Sequence, residues 1–318
     1  MDIIFHSMQS ILSIVIMMFL GIMLARAGWF DEKASRLIAD LVTKVSLPCL
    51  ILLNITDNFA RENLGRLFSD MALPVLSVVA SYFIGSALCK LLKVPKGRRA
   101  LFKAMFYVAN CIYIGVPLNI ALFGEDSTVY IFEYFAANTT ALWCVAVYQL
   151  SVDGADEEMK MDVLQTVKRI LYSPLAGFLT ALILVLLDVK LPVFAKDTLK
   201  YIGSMTTPLS MIFVGIELNK TKLNDLKMNL EMFVAHIGKF VVGPAIMFAF
   251  HDVVSTSDLH FKVMVIQAST PVAVALPLLA ARYGVDVKYA AILTSTSTIL
   301  FIFVVPFYMW LLHLYLGK

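Results

Sequence analysis

The chain is short of charge. Asp, Glu, Lys and Arg make up 15% of its 318 residues, against about 25% in soluble proteins, while 60% are hydrophobic and mean hydropathy is +0.82. That balance excludes a soluble globular protein and puts the chain in a lipid bilayer. The formal net charge of +3 is too small to attract nucleic acid. Cysteine is scarce as well. Cys49, Cys89, Cys111 and Cys144 lie in or beside apolar runs with no framework spacing, and read as small core residues. No two of the five histidines (His6, His236, His251, His260, His313) are four apart, and neither HExxH, GxSxG nor a phosphate-cradling loop occurs. No metal, no cofactor and no catalytic machinery is therefore expected. Met1–Gln9 carries no Lys or Arg, so the basic start of a cleaved signal peptide is missing and the first apolar run reads as a retained helix.

What is present is a succession of apolar runs of about 20 residues, the length of a spanning helix. An all-α membrane protein with ten such helices is expected, at 4–26, 37–55, 70–92, 101–123, 128–150, 170–188, 198–218, 229–250, 261–281 and 289–313. The longest connection, Ser151–Lys168, begins acidic and ends basic and leaves no room for a soluble domain. It divides the chain into a first half (1–150), a linker (151–169) and a second half (170–318). Basic residues fix the orientation. Connections after helices one, three, five, seven and nine hold seventeen Lys and Arg, and the opposite side holds seven. The first set is expected in the cytoplasm and both termini outside.

One run contains residues that a spanning helix normally avoids. Asn110-Cys-Ile-Tyr-Ile-Gly-Val-Pro117 carries a proline, which has no N–H and whose ring clashes with the Tyr113 carbonyl, after a loosening Gly115. In hydrocarbon such a break survives only inside protein or beside water. A shift of 160 residues carries Pro117 onto Pro277, Gly124 onto Gly284, Asp126 onto Asp286, Pro48 onto Pro208, Asp57 onto Glu217, Asn110 onto Thr270 and Asn138 onto Thr298. Those matches at one offset read as a duplication. With five helices per half, the second copy enters from the other side, giving two inverted five-helix repeats with broken helices 4 and 9 crossing near the midplane.

At such a crossing, half-helix N-termini offer unsatisfied N–H groups and partial positive charge, which suit an anion. The half-helices are expected to begin near Pro117 and Pro277. Asn110, Gln267, Ser269 and Thr270 precede them as neutral polar groups able to bond a carboxylate. Tyr134 with Asn138, and Thr294 with Ser297 and Thr298, form polar faces on helices five and ten, although hydroxyls in membrane helices often only tie helices together. Lys239 sits mid-helix, where charge is costly, with Glu133 or Glu217 as partner and a coupling or ion-pair role; Lys44 can snorkel.

The motifs resemble a known family. Asn110-x4-Gly115-x-Pro117 followed by Leu122-Phe123-Gly124, then Pro271-x-Ala273-Val274 with Leu279-Ala280 and Tyr283-Gly284, then Thr298 with Pro306, are similar to signatures of the auxin efflux carrier family. The likeness runs through the whole chain in order. Ile112 stands where the family usually has a small residue, and Ala275 occupies the repeat position of Gly115. The resemblance implies a scaffold of helices 1, 2, 6 and 7 and a moving unit of helices 3–5 and 8–10. It also implies crossing at the two prolines, with Asn110, Gly115, Pro117, Asn138, Gln267, Thr270, Pro271, Pro277 and Thr298 around the cargo. Organic anions are that cargo, auxin in plants and malate or malonate in some bacteria. The absence of a long cytoplasmic loop looks prokaryotic. The expected activity is secondary transport of a small carboxylate across the cytoplasmic membrane, with an anion channel as the alternative. The expected partners are the anion, the bilayer and a second copy paired through the scaffold helices.

The orientation can be checked with impermeant thiol reagents on intact cells. A cysteine introduced at Gly317 should be labelled and one at Gly97 protected. The reverse pattern would overturn the assignment of faces.

Overall fold

The computed structural model describes residues 2–58, 69–154, 175–220, 228–252, 254 and 257–316. Most of the linker between the halves, and the positions of Arg61, Arg66, Lys222, Lys227 and Lys318, lie outside these. Every regular element among the described residues is helical. In chain order they are α1 (Asp2–Arg26), α2 (Glu32–Leu41), α3 (Leu47–Asn58), α4 (Ala72–Leu91), α5 (Arg99–Tyr107), α6 (Val116–Phe123), α7 (Thr128–Thr140), α8 (Val147–Asp153), α9 (Leu175–Leu186), α10 (Val193–Ser204), α11 (Thr206–Asn219), α12 (Leu230–Ile237), α13 (Gly243–Phe250), α14 (Asp258–Ser269), α15 (Leu276–Arg282) and α16 (Val287–Leu316). Among the described residues, six helical stretches are long and apolar enough to cross a bilayer: Glu32–Asp57, Ala72–Leu91, Arg99–Phe123 (with its irregular segment at 108–110), Val193–Asn219, Leu230–Phe250 and Val287–Leu316. Among the described residues the other expected runs do not meet this measure; residues 170–174 and the side chains of 4–8 lie outside them. One reason is plain at 261–281, where a break leaves α14 and α15 as two short pieces.

Local chemistry sets the helix starts. Asp31, Asn229 and Ser257 each accept a hydrogen bond from the N–H three residues on, at 2.7, 2.8 and 3.2 Å, and so satisfy one of the donors that a helix start leaves open. Three prolines inside the rods are handled in one recurring way, whereas Pro306 sits within the continuous α16. The π turns Val42–Ser46, Cys111–Gly115 and Gly238–Val242 each end two residues before a proline, namely Pro48, Pro117 and Pro244. A π turn bonds i to i+5 and displaces the carbonyl that the ring would otherwise strike. Pro117 is therefore absorbed within a helix. The break expected at it falls upstream, at Val108–Asn110.

Glycines bring several helices into backbone contact. A methyl group on Gly215 would lie 2.0 Å from the Met18 carbonyl oxygen, and one on Gly21 would lie 2.3 Å from that of Ile212, so α1 and α11 touch along their main chains. Gly177 of α9 and Gly203 of α10 press in the same manner on Pro48 and Leu50 of α3. In lipid, where apolar side chains gain little by leaving the solvent, such close approach is what holds helices together. α1, α2–α3, α9 and α10–α11 form one packed group by these contacts, while α4 lies on α5 and α13, and α14 lies on α13, α7 and α16. Of the cysteines, Cys89 and Cys111 are buried and Cys49 half-buried as expected, but Cys144 is exposed on the bundle's outside. Lys44 reaches back along its own helix to Asp40 at 2.8 Å.

Gly215→Ala should lower the melting temperature of the purified protein, because the atom it meets is backbone and cannot swing aside. Gly243→Ala, whose methyl would find its nearest neighbours at 3.6 Å, should be close to neutral. Equal effects from the two substitutions in a thermal-shift assay would contradict this account of the α1–α11 contact.

Candidate functional site

Two helix breaks meet in the interior. α5 ends at Tyr107, and Val108–Asn110 run extended before the π turn that leads into α6. α14 ends at Ser269, and Thr270–Ala275 run irregularly before α15, in which Pro277 is the second residue. The Asn110 N–H donates to the Pro271 carbonyl at 2.7 Å, so the two irregular segments bond directly to each other.

The groups that these breaks leave open are met one by one. The Asn138 side chain lies against Ala109 and uses both its ends: Oδ1 accepts the Ala109 N–H at 2.8 Å and Nδ2 donates to the Ala109 carbonyl at 3.0 Å. Asn110 Oδ1 accepts the Tyr113 N–H at 3.3 Å and caps the following turn. The Lys239 ammonium, 1% exposed, donates to the Val108 carbonyl at 3.1 Å. A cation there sits at the carbonyl end of α5, where the helix dipole favours it. In the second break, the Thr270 hydroxyl donates to the Gln267 carbonyl at 2.8 Å, and the Val272 N–H faces Ser297 Oγ at 3.4 Å.

Two amides stand out because they are not used up. Asn110 Nδ2 and both polar atoms of the Gln267 side chain are buried without a hydrogen-bond partner. A buried, unsatisfied amide costs about 1–3 kcal/mol. These atoms therefore carry free hydrogen-bonding capacity at the crossing. Gly115 belongs to the same cluster, since a methyl group on it would lie 2.2 Å from Gln267 Oε1. Only a residue without a side chain leaves the Gln267 amide its place.

A small cavity of about 100 Å³ opens among α11, α15 and α16, lined by Val214, Glu217, Lys220, Val274, Pro277, Thr294 and Thr298, among others. It is smaller than the roughly 300–1,000 Å³ of ordinary ligand pockets. The site residues expected from sequence thus fall into two groups. Asn110, Gly115, Asn138, Gln267, Thr270 and Pro271 gather at the crossing, whereas Pro277 and Thr298 line the cavity. Pro117 lies inside the rod beyond the π turn. Ala291 and Ser295 also line the cavity, and as ordinary small residues they carried no signal in the sequence.

The expected partners of Lys239 are engaged elsewhere. Glu133 lies 3.1 Å from His260, and Glu217 accepts from the Ser35 hydroxyl at 2.7 Å and pairs with Lys220 at 2.6 Å. Removing the Lys239 ammonium therefore strands a neutral carbonyl and leaves no carboxylate without its mate. Lys239→Met should reach the membrane folded in near-normal amount. Asn138→Asp should not, because it sets a carboxylate against the Ala109 carbonyl and loses a buried donor, at a cost of roughly 1–3 kcal/mol or more. Size-exclusion profiles and melting curves of the two variants decide. Loss of the Lys239→Met protein would mean that a charge had been left unpaired.

Comparison with known proteins agrees with this architecture. A family described as membrane transport protein matches residues 6–309. An uncharacterized transporter of Methanocaldococcus jannaschii, MJ1031, is 23% identical over 96% of this chain and 98% of its own length. Another from Methanothermobacter thermautotrophicus is 22% identical over 94% and 96% respectively. The uncharacterized transporter YfdV of Escherichia coli K12 is 21% identical over 96% and 97%. With a match that covers nearly every described helix and both helix breaks, the chain belongs to the membrane transport protein family, that of the auxin efflux carriers.

Proposed function

We propose that the protein is a secondary carrier that moves a small organic anion across the cytoplasmic membrane by alternating access, with the anion held where the two helix breaks meet. The observation that carries the proposal is the pairing of those breaks through Asn110 N–H and Pro271 C=O, with the Asn110 and Gln267 amides beside it unsatisfied. A carboxylate accepts hydrogen bonds only, and it can take donors from both amides while leaving no charge unmatched near the Lys239 ammonium. Substrates of the malate or malonate kind, or an auxin-like monocarboxylate, have the right group.

Ten spans in two inverted repeats are part of this reading, and pairs of repeat-equivalent residues support it. Asp57, at the end of α3, pairs with Lys196 near the start of α10 at 2.5 Å, while its counterpart Glu217, at the end of α11, bonds Ser35 near the start of α2. Ends meeting starts in both directions is what two antiparallel copies require. Gly124 and Gly284, also counterparts, both take positive φ, at 80° and 67°. The cytoplasmic placement of the odd-numbered connections, the outside placement of both termini and a homodimer through the α1, α2–α3, α9 and α10–α11 group belong to the same proposal.

Proteoliposomes with a panel of mono- and dicarboxylates test it. The carrier reading expects saturable uptake and counterflow; uptake that neither saturates nor exchanges would instead mean an anion channel. Asn110→Asp replaces a donor with a negative charge beside the anion. Since hydrogen bonds to charged groups contribute about 1.5–3 kcal/mol, it should weaken binding at least about tenfold by calorimetry. Unchanged affinity in a folded variant would remove the crossing from the account.

A further inference from the structure

Away from the crossing, one buried pair of ionisable groups is still without a role. Glu133 of α7 and His260 of α14 face each other with Oε2 and Nε2 3.1 Å apart and side chains 1% and 0% exposed. Neither of these atoms, nor His260 Nδ1, has an aligned hydrogen bond from any other group. The Tyr130 ring, 5.0 Å from the imidazole, covers one side, and its hydroxyl accepts from Ser257 at 3.4 Å. A structural histidine at this depth normally has one nitrogen tied to a carbonyl, as His236 does to Met232 at 2.7 Å.

Among the described residues, the neighbouring elements bring little competing charge. Asp70, just before α4, is the other charged group that bears on both. Asp57 is taken by Lys196, and Lys239 is at Val108. His251 lies against Phe261, and Tyr308 donates to the Phe240 carbonyl. Glu125 and Asp126 are exposed, Lys262 is half-buried, and Asp258 and His313 have interactions of their own. Cys111, Tyr113 and Tyr134 on the packed elements are neutral in their ordinary forms.

A lone charge in such a dry site costs several kcal/mol. With one proton between them, carboxyl and imidazole are neutral overall, whichever atom holds it; with none the pair is −1, and with two it is +1. The pair also lies on the two helices that build the crossing. Five residues along α7 is Asn138, the clamp on Ala109, and seven residues along α14 is Gln267. At 1.5 Å per residue those separations are about 7.5 and 10.5 Å along the helix axes.

We propose that Glu133 and His260 form a proton-binding site that couples transport to H⁺, one proton being taken up by the pair from one side and released to the other as the anion crosses. This rests on the carrier reading above. The proton comes from bulk water and returns to it, so the step needs no other reactant. One proton carried with a monoanion makes the net transfer electroneutral, and carried with a dianion it halves the net charge transferred.

Two measurements on the full-length protein separate the failure of this proposal from the failure of the carrier reading. Infrared difference spectra of the protein in nanodiscs, taken between acid and alkaline buffer, should contain a carboxyl signal that Glu133→Gln removes. An identical spectrum in a folded Glu133→Gln variant overturns the proton site, whether or not any carboxylate is transported. In proteoliposomes loaded with a pH-sensitive dye, uptake of an active carboxylate should move internal pH, and Glu133→Gln should abolish that movement while substrate binding persists. Wild-type uptake with no change in internal pH overturns the coupling. If Glu133→Gln does not fold, His260→Gln, which cannot take up a proton, replaces it in both readouts and should change the titrating signal and abolish the dye response.

Discussion

An N–H or C=O group without a partner in hydrocarbon costs several kcal/mol, and two interrupted helices leave many of them. The interior of this protein is organised by how those groups are satisfied. One break gives its Asn110 N–H to the other's Pro271 carbonyl. The rest of the first break is met by Asn138 from α7 and by Lys239 from the π turn after α12. Helices that would otherwise be free to slide are thereby keyed to one place. Asn110 Nδ2 and the Gln267 amide are left without partners where both broken chains converge.

The rest of the bundle divides by the kind of contact it makes. Around α1, α3, α9 and α11 the contacts are backbone against backbone, permitted by Gly21, Gly215, Gly177 and Gly203. Interfaces of this sort have one good geometry and resist sliding. The helices that carry the breaks meet through side chains and through single polar bonds that can be exchanged, such as Lys239 to Val108. A rigid group beside a group keyed by exchangeable bonds is the arrangement that the proposed alternating access would use.

π turns are the local device that makes this possible. They let Pro48, Pro117 and Pro244 sit inside continuous rods, at the price of weaker helical bonding in the preceding turn. The turn before Pro117 directly follows Asn110, so the chain that forms the site is also a turn with fewer ideal helical bonds. The turn before Pro244 carries Lys239, which it turns toward the other helix's open carbonyl.

Sequence alone determined the class of protein, because a membrane imposes its composition and run length on each segment separately. It also revealed which two helices are interrupted, since Gly and Pro act through their own backbone. Tertiary structure decided which groups meet. It moved the first break from Pro117 to Val108–Asn110, because a π turn absorbs the ring. It turned Asn138 into a backbone clamp, and it gave Lys239 a carbonyl in place of the expected carboxylate. Glu133 was visible as an acid in an apolar run, but its partner His260 is 127 residues away, at the start of α14 between Asp258 and Lys262. Nothing local distinguishes that histidine from one packed in a core. Hydrogen bonds and ion pairs between helices depend on how two rods are rotated and offset, and packing sets both only after every rod has formed.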